Sequence, residues 1–168
     1  MIEKFDYNFL QNNGFLFSLE RLPQTMFRVV ACDVPSISVP PPQAGTQGAT
    51  QYFPGGFTEF EDLTMDFLVD EDLKNYEEIY HWITQQRYFI RDGYKPKGNN
   101  DELMVSDGTL VTMLNSSYPN RVFSFKNMFP ITIGNLHFDT SVTEPTPVSC
   151  QVTFKYSYFV LEPKKTNQ

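Results

Sequence analysis

The last third of the chain holds the pattern that most restricts its fold. From Val148 to Leu161, Val148, Cys150, Val152, Phe154, Tyr156, Tyr158 and Val160 alternate with Ser149, Gln151, Thr153, Lys155, Ser157 and Phe159. A period of two places one set on each face of a β-strand, and no helix reproduces it. Fourteen such residues would span roughly 45 Å, at about 3.3 Å each. That exceeds the usual strand of about 5 to 6 residues and suits a wall shared between subunits.

Shorter runs of the same kind precede it. Phe15-Leu16-Phe17-Ser18-Leu19-Glu20 puts Phe15, Phe17 and Leu19 on one face. Phe27 to Val34 is β-branched in its middle, and with a turn at Pro23-Gln24 the two runs read as an antiparallel hairpin. Leu63 to Val69 alternates, and Thr109 to Leu114 and Val122 to Asn127 are further strands. Phe129-Pro130-Ile131-Thr132-Ile133-Gly134 reads as an interruption, a strand edge or bend. One helix is expected, opened by Asp70-Glu71-Asp72 with Asp70 as N-cap and running to about Arg87. Its apolar stripe would be Leu73, Tyr76, Ile79, Tyr80 and Ile83. Arg91 to Asp101 is a polar loop, and Lys164 to Gln168 a frayed tail. The expected fold is α+β: an antiparallel β-sandwich or half-barrel of six or seven strands with one flanking helix, in a single domain over 1–168.

Between the second and third strands lies a segment that its own domain does not explain. Five prolines and four glycines fall between Pro35 and Gly56. Pro40, Pro41 and Pro42 cannot donate ladder hydrogen bonds and favour an extended path. The Gly/Thr/Gln tract from Gln43 to Gln51 has almost nothing to bury, yet Tyr52, Phe53 and Phe57 follow it. Loops of this length are functional or disordered. Residues 35–57 are therefore expected to form an assembly arm, ordered by neighbouring subunits. Pro40, Pro41, Pro42, Tyr52, Phe53 and Phe57 are its candidate contact residues.

Composition narrows the function classes. Among 168 residues, 13 are basic and 20 acidic, for a formal charge of -7, so tight binding to nucleic-acid phosphates is not expected. The same charge suits a protein that lets nucleic acid pass without sticking. No apolar run approaches the roughly 20 residues of a membrane span, and no signal-peptide pattern opens the chain, so a soluble protein made in the cytoplasm is expected. Cys32 and Cys150 read as free buried thiols, and a disulfide would need their strands to be adjacent. His81, beside Trp82, reads as a partly buried helix residue and His137 as a strand-face residue. Neither lies in a zinc motif. Asp66, Asp70, Glu71 and Asp72 lack the spacing of a calcium loop. No nucleophile elbow, Walker loop or dinucleotide fingerprint is present. The expectation is a non-enzymatic protein with no cofactor and no metal.

The order of these pieces is similar to that of a known family. A strand ending at Cys32-Asp33-Val34-Pro35, an arm to Gly56, then Phe60-Glu61-Asp62-Leu63-Thr64-Met65-Asp66-Phe67-Leu68-Val69 and a helix carrying Tyr80-His81-Trp82-Ile83 resemble the tail tube proteins of contractile-tailed bacteriophages. The stretch from Phe57 to Gln86 is the most telling, and Phe129-Pro130-Ile131 through Phe159 resembles the family's approach to its last strand. The resemblance implies a homo-oligomer of stacked six-membered rings, whose strands join into one β-barrel around an acidic channel. The arm would touch the ring above or below. Sheath and baseplate proteins would be partners, and genomic DNA would pass through the lumen without specific binding. The location would be the virion tail, with no membrane. The run Pro40-Pro41-Pro42 departs from the family by stiffening the arm. Related folds serve as baseplate hub or tube-initiator proteins, which is the alternative, and a small binding module with Tyr52, Phe53 and Phe57 at its lip is a third reading.

Overall fold

A computed structural model describes residues 10, 12–22, 28–46, 48–91, 104–114, 119–141, 143, 144 and 146–162. Among the described residues, seven strands form one antiparallel sheet folded over on itself, and one helix packs beside it. The strands are β1 (Phe15–Leu19), β2 (Val29–Asp33), β7 (Leu63–Leu68), β8 (Ser106–Met113), β9 (Pro119–Ile133), β10 (Ser149–Lys155) and β11 (Tyr158–Glu162). The path runs β1-β8-β9-β10-β7-β2, with β11 pairing β9 as a branch. The α+β class read from the sequence is the one observed.

Strand β9 makes the fold possible. Its first part pairs with β8 and β11, and its last residues pair with β10, so one strand belongs to both layers of the sandwich. The switch occurs at Asn127, whose φ is +55°. Asparagine tolerates this left-handed conformation better than most residues. The register of β8 against β9 shifts between Ser106 and Gly108, and Asn127 N–H donates to Asp107 Oδ1 at 3.2 Å. Phe125 and Met128 are both buried, three residues apart, so the bulge inserts one extra residue into the alternation. That extra residue is why 122–127 and 129–134 read as separate pieces in the sequence, and the interruption expected at Phe129 is in fact continuous strand.

The reverse correction applies to the last strand. Val148 to Leu161 is not one strand: β10 ends at Lys155 and β11 starts at Tyr158. At the junction Ser157 N–H donates to Lys126 O at 2.9 Å. The side-chain phase flips there, leaving Tyr158 and Val160 exposed while Phe159 turns to the core. The chain thereby passes from one layer to the other, as corner-turning strands do in packed sheets. β1 and β2 also fail to form the expected hairpin. They lie at opposite ends of the path, β1 against β8 and β2 against β7, because each closes a different layer. The turn proposed at Pro23-Gln24, the polar loop beyond Arg91 and the tail from Lys164 lie outside the described residues.

The core draws on all three parts of the fold. Phe17, Leu19, Leu110, Phe125 and Met128 come from one layer, and Leu63, Met65, Phe67, Val152 and Phe154 from the other. The helix α1 (Lys74–Arg91) adds Ile79 and Trp82. Gly108 makes room for this packing, since a Cβ there would sit 2.3 Å from Met128 Sδ and 3.2 Å from the Phe17 ring. Cys32 and Cys150 are free, Cys32 half-buried and Cys150 buried. Burial, with Asp33 adjacent, pushes the Cys32 thiol up to about 12, which keeps it protonated and unreactive.

The helix begins later than the sequence pattern implies, and its core face is the expected one in part: Tyr76, Ile79 and Ile83 pack in or against the core. Asp70 does not cap it; its carboxylate pairs with Arg28, and Leu73, at φ +57°, supplies the carbonyl that accepts the Glu77 N–H at 2.9 Å. Buried Asn75 fixes the start, donating to Leu68 O at 2.7 Å and accepting from Asp70 N–H at 3.1 Å. The buried stripe is Asn75, Ile79 and Trp82, whereas Leu73 and Tyr80 are exposed. A polar Asn in the core stripe and an aromatic outside it misled the periodicity. Gln86 anchors the far end by donating to Pro130 O at 3.2 Å.

Candidate assembly surface

The arm is built by the chain pairing with itself. At its root β3 (Ile37–Ser38) pairs with β6 (Glu59–Phe60), and Glu61 N–H donates to Ser36 O at 3.2 Å. Further out β4 (Gln43–Thr46) pairs with β5 (Ala49–Tyr52) as a hairpin closed by two residues, with Gly48 at φ +96°. Such a tight turn needs positive φ, which glycine adopts without strain. Between the two ladders lie Pro40, Pro41 and Pro42, which have no N–H to donate, so pairing lapses there. It resumes where Phe53 N–H donates to Pro42 O at 3.1 Å. Gly56 lets the two rails close up, since a Cβ at this position would lie 2.4 Å from Pro40 O.

The six residues singled out from sequence all lie on this arm, and all are exposed. Pro42 and Phe53 are brought side by side by their hydrogen bond, and Pro40 faces the chain just before Phe57. Phe57 is 89% exposed and Tyr52 62%, with Ile37 and Val39 also open to solvent. Among the described residues, none between 36 and 58 belongs to the core cluster. At its root the arm is held to the body by Phe60, which packs on Tyr156 and Phe159 with centroids 6.1 and 5.5 Å apart. Phe123 and Phe125 complete that aromatic cluster.

Tyr156 at this root carries a pH dependence. Its hydroxyl donates to Glu61 O at 2.8 Å, and burial, then the Asp62 and Glu61 carboxylates, push its pKa up to about 12. A phenol raised above its ordinary value of about 10 favours the protonated folded state. The stability it contributes is fully present below about pH 10 and is lost as pH rises from there toward about 12. Urea melts at about pH 9 and about pH 11 should show a larger loss of stability for the natural chain than for Tyr156→Phe. Equal losses in the two proteins would refute the assignment.

The body offers two further kinds of surface. Among the described residues, β1, β2 and β11 each pair on one side only, leaving hydrogen-bonding edges on both layers. Unpaired edges of this sort are the natural place for strands of a second copy to add. The outward face of the layer β2-β7-β10-β9 carries Asp33, Thr64, Asp66, Gln151, Thr153 and Thr132, paired across neighbouring strands. Lys155 opposite Phe129 closes one end of this face, with the ammonium paired to Asp62, and Ser149 opposite Leu68 the other.

The histidines do not form a site. His81 is exposed on α1, with Nε2 3.2 Å from Glu77 Oε1, one helical turn away. His137 is also exposed and lies in the loop after β9, not on a strand face. That loop lines a cavity of about 550 Å³ with Asn135, Phe138, Asp139, Pro147 and Val148. No sequence pattern predicted it; its only trace is the Pro145-Thr146-Pro147 spacing before the last strands. Among the described residues, no group of three or more His, Cys, Asp or Glu side chains is placed to hold a metal ion.

No protein-family model and no curated protein sequence matches the chain. Solved structures do. A chain of the PVC sheath-tube complex of an extracellular contractile injection system is 13% identical, with 94% of this chain and 93% of that one aligned at a TM-score of 0.65. A chain of the tube-terminating cap of the anti-feeding prophage is also 13% identical, over 96% and 95% of the two chains, at 0.65. The Hcp1 protein from the E. coli EAEC 042 pathovar is 10% identical, over 90% and 92%, at 0.55. At such identities the similarity is one of fold, and it extends over nearly the whole of each chain. The protein has the fold of the tube proteins of contractile injection systems.

Proposed function

We propose that this chain is the structural subunit of a tail tube, assembling into stacked hexameric rings around a channel. The observation that carries the reading is the near-complete overlap with chains of contractile injection systems, in a molecule whose two layers both end in open strand edges. A baseplate structure of the anti-feeding prophage, 6-fold symmetrised, also contains a chain of this fold, at a TM-score of 0.61. Six copies joined edge to edge would close the sheets into one barrel and remove the exposed edges.

The polar outward face bearing Asp33, Thr64, Asp66 and Thr153 supports a channel wall to which polyanions do not adhere. In a chain of net charge -7, that face repels phosphates, and DNA passes without being held. The finer reading is a bacteriophage tail tube, conducting genomic DNA inside a sheath and above a baseplate. It rests on the sequence resemblance together with this charge. The chemistry is structural and non-enzymatic. A tube-initiator role at the baseplate is the second reading, supported by the baseplate chain of the same fold.

Light scattering after size exclusion, followed by electron microscopy, tests the proposal. A tube subunit gives rings of six 19.5 kDa chains and, at higher concentration, long uniform tubes. Rings that stop at one or two layers favour the initiator, and a stable monomer at every concentration refutes both.

A further inference from the structure

The two features that the monomer leaves unused lie at opposite ends of the same layer. β7 runs from Leu63, paired with Phe154, to Leu68, paired with Ser149. The arm joins at the Leu63 end, because β2 leaves the sheet at Asp33, opposite Thr64, and β6 returns just before Leu63. The cavity lies at the other end, beyond Ser149, between the loop after β9 and the start of β10. Six residues of strand, about 20 Å, separate them. We propose that Phe57 of one copy seats in the cavity beside Phe138, Pro147 and Val148 of the next copy along the tube axis.

This inference rests on the tube reading above and names its stacking contact. A projection at one end and a recess at the other make a heterologous contact, which repeats without closing and therefore builds a filament of stacked layers. Phe57 is suited to the projecting role: it is 89% exposed, follows the Gly55-Gly56 pair, and packs on nothing in its own core. Large aromatic rings inserted into preformed recesses are the usual anchors of protein interfaces. Phe138, Pro147 and Val148 line the recess beside polar groups that include the acidic residues Asp139 and Glu144. Phe138 is itself 70% exposed. Asp139 is held as a carboxylate by Ser141, whose N–H and hydroxyl donate to Oδ1 at 2.8 and 2.7 Å.

Charge selects the occupant. Two copies of a chain at -7 repel, and Asp139 and Glu144 repel any acidic segment brought to them. From Val34 to Thr58 the arm contains no charged residue at all. Among the described residues, this exposed segment brings no like charge to Asp139 and Glu144.

A photoreactive benzoyl-phenylalanine at position 57, introduced into the full chain, tests the contact. Isotopically heavy and light copies are mixed, assembled and irradiated. Cross-links from position 57 of one copy to residues 135–149 of another are expected. Phe57→Asp should raise the concentration needed for tubes about tenfold or more while rings persist, and Phe57→Trp should leave it near the natural value. Tubes that form normally but cross-link elsewhere overturn this contact and leave the tube reading intact. A natural chain that forms neither rings nor tubes overturns the tube reading, and this contact with it.

Discussion

Removing residues 44–51 and joining Gln43 to Tyr52 through an Asn-Gly turn is expected to abolish tube growth while leaving the monomer folded. The structure makes the deletion clean. Gln43 and Tyr52 are already paired across the hairpin, and Pro42 and Phe53 are held by a hydrogen bond of 3.1 Å. A two-residue turn can replace the hairpin tip without moving the root. No core side chain among the described residues comes from the arm beyond its root. The stability change should therefore stay within about 0.5 kcal/mol, or about 2 °C in Tm. The loss at the level of assembly is large, because a repeated contact acts at every layer of a tube. Circular dichroism melts and electron microscopy are read on the same sample. Tubes of normal length would remove the hairpin from the assembly surface, and an unfolded variant would show that it belongs to the body.

Trp82→Ala should be the most damaging single change to the body. The ring is 2% exposed, packs on Phe154 with centroids 6.1 Å apart, and carries the Arg21 guanidinium 4.7 Å above it. Its Nε1–H donates to Met104 O at 3.0 Å. Truncation leaves a cavity, an unpartnered carbonyl and a guanidinium without its aromatic platform. Aromatic-to-alanine changes in cores cost about 3–5 kcal/mol, which corresponds to a Tm lower by roughly 10 °C in a chain of this size. Chemical denaturation checks the value. Trp82→Phe, which keeps most of the packing and loses the hydrogen bond, should lie between. A loss under about 1 kcal/mol for the alanine variant would mean that α1 is docked by Ile79, Asn75 and Gln86 without it.

The helix shows how a correct reading of element type can find only part of the face. Its existence, its position after the strand Leu63–Val69 and the inward turn of Tyr76, Ile79 and Ile83 follow from spacing. The burial of Asn75 does not, because it enters the core only by satisfying both of its amide groups on Leu68 and Asp70. Those partners are brought to it by the turn before the helix. Hydropathy cannot see a polar residue whose hydrogen bonds are all met. Asp70 was drawn away from capping for a similar reason, by Arg28, just before β2 and far off in sequence.

That residues 35–57 contribute little to the core was legible because proline and glycine content is a local fact. The arm's hairpin was not, since pairing depends on two rails meeting around Gly48 and Gly56. The cavity was invisible, as it exists only where the loop after β9 faces the start of β10.

Taken alone, the sequence determined an antiparallel β protein with a helix after the strand at Leu63, a Pro/Gly-rich segment at 35–57 with little to bury, and an acidic balance, since period, ring geometry and charge act over a few residues. Tertiary structure decided which strands are neighbours. The alternation of Val148 to Leu161 is the plainest case. Its period is real on both sides of Ser157, but the backbone turns there to cross from one layer to the other. Local periodicity records that a residue wants a buried face; only the packed layers decide which face is buried.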